Sequence, residues 1–242
     1  MTDVVLAIGA LLAGLTVGLA GFGDALVLTA VGLQVLAPQA LTPLVVALGV
    51  PLYLMSSWRL RGALRARRLA PLTVAGIAGI PAGLWLLERA DPEPVRLAVG
   101  LLLTVHATRG LARLRAHRAS EATTGGTVAV GAAGGVLGGL AGLSGVLVAA
   151  WCAQRPWSPD EQRAVYQPYV LVMHAAALAG CATAGLLDSD VGRRVVLALP
   201  AAGAGLWLGL RLYDRVDAVG FRRVVLSLLL ASGLVLLART MV

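Results

Sequence analysis

Gly14–Val27 reads GLTVGLAGFGDALV, and Gly135–Val148 reads GVLGGLAGLSGVLV. The two lie half a chain apart in 242 residues and share the frame G-x-x-x-G-L-A-G-x-x-x-x-L-V. Each sits in an apolar stretch, 4–37 or 127–153, longer than the roughly 17–25 residues of one spanning helix. Glycine costs a helix about 1 kcal/mol relative to alanine and opens the left-handed region of backbone space. Gly18, Gly21 and Gly23 in one copy, and Gly138, Gly139, Gly142 and Gly145 in the other, therefore predict two broken helices or short hairpins. Irregular backbone at membrane depth survives only where protein or a water-filled cavity surrounds it. Both breaks are expected in the interior.

Apolar stretches also fall at 41–58, 69–87, 95–112, 164–186, 194–213 and 221–238. The chain is 58% hydrophobic and 13% charged, with a mean hydropathy of +0.84. A soluble domain is about 45–50% apolar and about 25% charged. The reading is an all-α polytopic integral membrane protein. Its first segment lacks a basic leader and a cleavage site, and reads as a retained span. A second internal match relates 79–103 to 205–229. There Gly79, Gly83, Arg89, Asp91 and Arg96 correspond to Gly205, Gly209, Arg215, Asp217 and Arg222. Two homologous repeats follow, 1–118 and 119–242.

Loop charge orients the chain. Arg59–Arg68 holds five arginines and no acid, and Arg109–Arg118 holds four and no acid. Between them, Glu88, Asp91 and Glu93 offset Arg89 and Arg96. The first two loops should be cytoplasmic and the third external. The same rule favours a stretch 127–153 that returns rather than crosses, which makes the repeats inverted, as in many secondary transporters. Trp58, Trp85, Trp151, Trp157 and Trp207 lie near predicted segment ends, as an interfacial belt does.

Composition excludes several functions. There is no lysine, hence no phosphate-loop lysine and no Schiff base, and no asparagine to glycosylate. The net charge of +8 comes entirely from arginine, and loop arginines between apolar stretches need no nucleic acid to explain them. Cys152 and Cys181 make neither a disulfide framework nor a Cys-rich metal site. Three scattered histidines lack metal-ligand spacing. Neither a catalytic constellation nor a cofactor is expected.

The candidate path runs between the breaks. A broken helix leaves N–H groups free at the start of its second half, and these attract anions. Gly21, Gly23, Gly142 and Gly145 form the breaks, and Ser144 stands ready to donate at the second. Asp24 is, apart from Asp3, the acid inside an apolar stretch, and ionisable groups there are functional by default. It can carry a proton, cap the half-helix Ala25–Leu36, or do both. His174, in stretch 164–186, is the second candidate for proton coupling, and His106 is a weaker one. Tyr166, Gln167 and Tyr169 open the same stretch as His174 and offer donors to an anion.

With its two glycine-rich elements, each heading a half that ends in G-x-x-x-G…R-x-D-x-x-x-x-R, the chain resembles the sulfite exporter TauE/SafE family along nearly its whole length. The resemblance implies a secondary transporter of sulfite, an organosulfonate or a related small anion in the bacterial inner membrane, coupled to the proton gradient. The partners it implies are a small anion and the lipid bilayer, and a homo-oligomer is compatible with it. The alternatives are an anion channel and a structural membrane subunit.

Overall fold

The computed structural model describes residues 2–60, 64–112 and 123–213, with scattered positions between 223 and 238. The boundary at 118/119, Arg115, the second-copy frame Arg215, Asp217 and Arg222, and much of stretch 221–238 lie outside the described residues. Nine helices are described: α1 (Thr2–Ala20), α2 (Asp24–Gly32), α3 (Pro38–Trp58), α4 (Ala66–Arg89), α5 (Pro92–Ala112), α6 (Thr124–Ala141), α7 (Gly145–Cys152), α8 (Pro159–Thr183) and α9 (Ser189–Leu212). Seven of them are long and apolar enough to cross a membrane. The exceptions are the half-helices α2 and α7, of nine and eight residues.

Both breaks fall where glycine predicts them. Gly21 and Gly23 take φ values of 80° and 108° after α1, and Gly142 takes 70° after α6. A residue with a Cβ resists this region. The chain then reverses. A methyl group on Gly9 of α1 would lie 3.5 Å from Leu28 and 3.6 Å from Val31 of α2. A straight continuation would hold positions 9 and 31 about 33 Å apart at 1.5 Å per residue. Gly134 of α6 likewise lies against the Ser144 carbonyl. Stretches 4–37 and 127–153 are both hairpins.

Glycine also sets the packing between helices. Gly14 and Gly18 of α1 lie against the backbone of Ala202, Leu206 and Gly209 of α9, with a Cβ on Gly14 falling only 2.0 Å from the Ala202 carbonyl oxygen. Gly205 and Gly209 face Leu11 and Leu15 in return. The same pattern joins α6 to α4: Gly135 lies on Gly76, Gly139 on Ile80, Gly79 on Ala132 and Gly83 on Val136. Small residues every fourth position bring backbones close, which is the main source of helix affinity in lipid. The glycines that match in sequence therefore do the same work at two seams.

These contacts fix directions. α6 runs parallel to α4, since 72, 76 and 80 meet 131, 135 and 139 in order. α8 is parallel to α4, with Gly76 at Met173 and Leu84 at Gly180. α3 opposes α8, with Ser56 at Gln167 and Gly49 at His174. α2 opposes both α1 and α3, since Gly32 meets Leu41 while Asp24 meets Tyr53. Hence α1 runs antiparallel to α6. One side of the molecule gathers Arg59, Arg65, Arg67, Arg68, Arg109, Arg155, Arg163 and Arg211, the other Arg89, Arg96, Arg193 and Arg194. The positive-inside rule makes the first side cytoplasmic.

Trp58, Trp85 and Trp207 are exposed near helix ends, as a belt requires. Trp151 departs from that expectation: it is buried, edge-on to Trp157 with Arg155 over its face, while Arg68 covers Trp157 and pairs with Glu161. Single cysteines placed at Arg65 and Ser158 should be labelled from the cytoplasm, and at Asp91 and Asp188 from outside. Labelling of Asp188 from the same side as Arg65 would contradict the directions above.

Candidate functional site

α8 carries the polar residues that meet both hairpins. Its start is set by a capping box, in which the Ser158 hydroxyl accepts from the Glu161 N–H and the Glu161 carboxylate accepts from the Ser158 N–H, with Pro159 at the first turn. From there its inner face presents Arg163, Tyr166, Gln167, Val170 and His174, all buried. The first two close the end of α1. The Arg163 guanidinium donates to the Leu19 carbonyl and lies 3.9 Å over the Tyr213 ring. The Tyr166 hydroxyl donates to the Ala20 carbonyl at 2.8 Å. These are carbonyls a helix end leaves without partners. Tyr166 and the Tyr169 hydroxyl, which donates to Gly131 O at 2.8 Å, are thus already committed, whereas the sequence offers them as donors to an anion.

Gln167 differs. Its Oε1 accepts from Ser56 at 2.9 Å, but its Nε2 is buried without a partner. A Cβ on Gly21 would fall 2.7 Å from that Nε2, so the first break lies directly on it. Phe22, between the two glycines of the break, stands edge-on to Tyr166 at 5.7 Å. Val170 lies under Gly145 of the second break.

Two turns further along α8, His174 joins the hairpins. Its Nε2 lies 3.1 Å from the carbonyl of Gly142, and its Nδ1 lies 3.9 Å from Asp24 Oδ2. His174 is wholly buried and Asp24 is 2% exposed. Asp24 does not cap α2. It is the first residue of that helix, after Gly23, and its carboxylate turns instead to α3, where Oδ1 accepts from the Tyr53 hydroxyl at 2.5 Å. The cap expected at Ala25–Leu36 is absent because a nearer, buried phenol takes the oxygen.

The proton count follows from chemistry. A carbonyl oxygen only accepts, so His174 Nε2 carries a hydrogen. In a neutral imidazole Nδ1 is then a bare lone pair. It faces Oδ2, another acceptor, and neither atom has a partner. Two facing acceptors in a buried site leave room for one proton, held as an acid on Asp24 or as an imidazolium on His174.

α3 builds the other wall, and the sequence reading missed it. Gly49 clears space for the ring: a Cβ there would fall 1.9 Å from His174 Nδ1 and 3.1 Å from Asp24 Oδ2. Tyr53 also stands edge-on to the His174 ring at 5.5 Å. The available signal was spacing, since Gly49, Tyr53 and Ser56 share one helical face in an otherwise apolar segment. Ser144, just before α7, is fully buried and its Oγ has no partner. The cluster thus unites Gly21, Gly23, Asp24, Gly142, Ser144, Gly145, Gln167 and His174 around α8. His106 lies on α5 instead.

Comparison with known proteins gives one match. A family model described as sulfite exporter TauE/SafE covers residues 6–236. No curated protein and no solved structure matches the chain.

Tyr53→Phe leaves Asp24 Oδ1 without its donor and should cost about 1–3 kcal/mol of stability, read as a lower thermal midpoint of the purified protein in detergent. An unchanged midpoint would show that the Tyr53–Asp24 bond does not hold this wall together.

Proposed function

Because the chain belongs to the sulfite exporter TauE/SafE family, we propose that it is a secondary transporter for a small sulfur oxyanion, sulfite or an organosulfonate. Its place is the inner membrane of a bacterium, and the proton gradient drives it. Residues 1–118 and 119–242 act as two inverted repeats. Supporting this are the repeated frame, the opposed directions of α1 and α6, and the reciprocal glycine seams α1–α9 and α4–α6. Repeats of this kind place a site where their interrupted helices meet and alternate its access by rocking one unit against the other.

The observation that carries the coupling is the one-proton gap between Asp24 Oδ2 and His174 Nδ1. A proton taken up there neutralises a buried carboxylate, which removes a repulsion against any anion nearby. The proton and the anion then stabilise one another in the site and move together. Gln167 Nε2 and Ser144 Oγ supply buried donors without partners of their own, the groups an oxyanion needs. An ion channel would use the same donors but needs no proton site between its two breaks.

Proteoliposomes test this reading. An imposed pH gradient should drive accumulation of labelled sulfite, and sulfite on the far side should accelerate exchange. Asp24→Ser should abolish accumulation, because serine holds no titratable proton in the physiological range. A transporting Asp24→Ser protein with unchanged pH dependence would remove Asp24 from the mechanism. Flux without stimulation by trans substrate would make the protein a channel.

A further inference from the structure

The two breaks match in backbone and differ in what they carry. Where the first has Gly23 and Asp24, the second has Ser144 and Gly145 at the corresponding places of the repeated frame. The first break therefore opens α2 with a carboxylate in its first turn, and the second opens α7 with no acid at all. Ser144 has helical backbone, φ −58° and ψ −34°, and its hydroxyl does not cap α7. That hydroxyl is completely buried and partnerless. The N–H of Val146 reaches only to Leu143 O, at a long 3.4 Å. The start of α7 is thus a buried patch of donors with the positive end of a helix behind it. Gly134 and Gly138 of α6 lie against Ser144, and bulk at either would close on it.

We propose that the two breaks divide the work: the oxyanion binds at the second, on the Ser144 hydroxyl and the first N–H groups of α7, while the first break carries the proton on Asp24. His174 links them, since it holds the Gly142 carbonyl two residues before Ser144 and faces Asp24 with its other nitrogen. The assignment rests on the anion-transport reading above. An oxyanion accepts hydrogen bonds on every oxygen and is favoured at a helix start that offers donors. It is repelled at α2, where the carboxylate already occupies that position. The titratable groups facing His174 are Asp24 from α2 and Tyr53 from α3. α6 contributes the Gly142 carbonyl, and Met173 and Ala177 beside His174 on α8 are apolar and buried. Proton uptake between Asp24 and His174 removes net negative charge next to the break that holds the anion. Anion binding therefore tightens as pH falls.

The test titrates methanesulfonate, whose charge is constant across the neutral range, into the full-length chain in nanodiscs. Binding is measured at about pH 6 and about pH 8, either side of the range in which histidine titrates. The unmodified protein should bind more tightly at the lower pH. Ser144→Ala should weaken binding about tenfold at both, equivalent to about 1.4 kcal/mol, and Ser144→Thr should restore it. Without ligand, Ser144→Ala should keep or raise the thermal midpoint, because it deletes a buried hydroxyl that has no partner. In Asp24→Asn, saturable binding should persist with its pH dependence gone. Unaltered affinity in Ser144→Ala, with the loss appearing in Asp24→Asn at both pH values, would place the anion at the first break and overturn the division. If neither methanesulfonate, sulfite nor sulfate binds the unmodified protein, the anion reading itself fails and the subsite falls with it.

Discussion

A carbonyl oxygen can only accept a hydrogen bond, and the protonation of this interior follows from that fact at Gly142. The carbonyl fixes a hydrogen on His174 Nε2, which leaves Nδ1 bare against Asp24 Oδ2. Tyr53 already occupies the other oxygen of the carboxylate. The pair is one proton short in a site from which water is excluded. Burial makes that deficit consequential, since an unpaired buried charge is strongly disfavoured. The backbone supplies the remaining condition. Gly142 exposes its carbonyl to α8 because the chain turns there through a positive φ, where a side chain would resist the turn.

What holds the two hairpins in register is close packing by glycine. α1 rests on α9 and α6 on α4 through backbone contact, with the Gly205/Gly209 and Gly79/Gly83 pairs answering Gly14/Gly18 and Gly135/Gly139. A methyl group at these positions would meet carbonyl oxygens that cannot move aside. The same residue type thus serves two purposes, and position separates them. At i, i+4 on a straight helix it permits approach. At Gly21, Gly23 and Gly142 it permits the turn.

Much of this was legible in the residues. Glycine density located both breaks, because few residues other than glycine tolerate the turn. Asp24 and His174 stood out because a titratable group in an apolar stretch is costly. The hairpin sense of 127–153 was legible through loop arginines, which record orientation. Less legible was the wall from α3. Gly49, Tyr53 and Ser56 are ordinary residues of an apolar helix until tertiary packing turns that face onto Asp24, His174 and Gln167. The part played by Tyr166 was also hidden, because whether a hydroxyl is free depends on where the end of α1 lies. Asp24 illustrates the limit of local rules. Its position suits a helix cap, yet a phenol 29 residues away in sequence takes the oxygen.

The central claim is that the proton and the anion share one event through His174. The direct measurement is the ratio of proton to anion flux in the same liposomes, with a trapped pH dye reporting protons and labelled sulfite reporting the anion. The account predicts that added sulfite drives proton movement at a fixed ratio in the unmodified protein. In His174→Gln, which retains a donor for Gly142 but no titratable nitrogen, sulfite exchange should continue while the accompanying proton flux is lost. An unchanged ratio in His174→Gln would contradict the account.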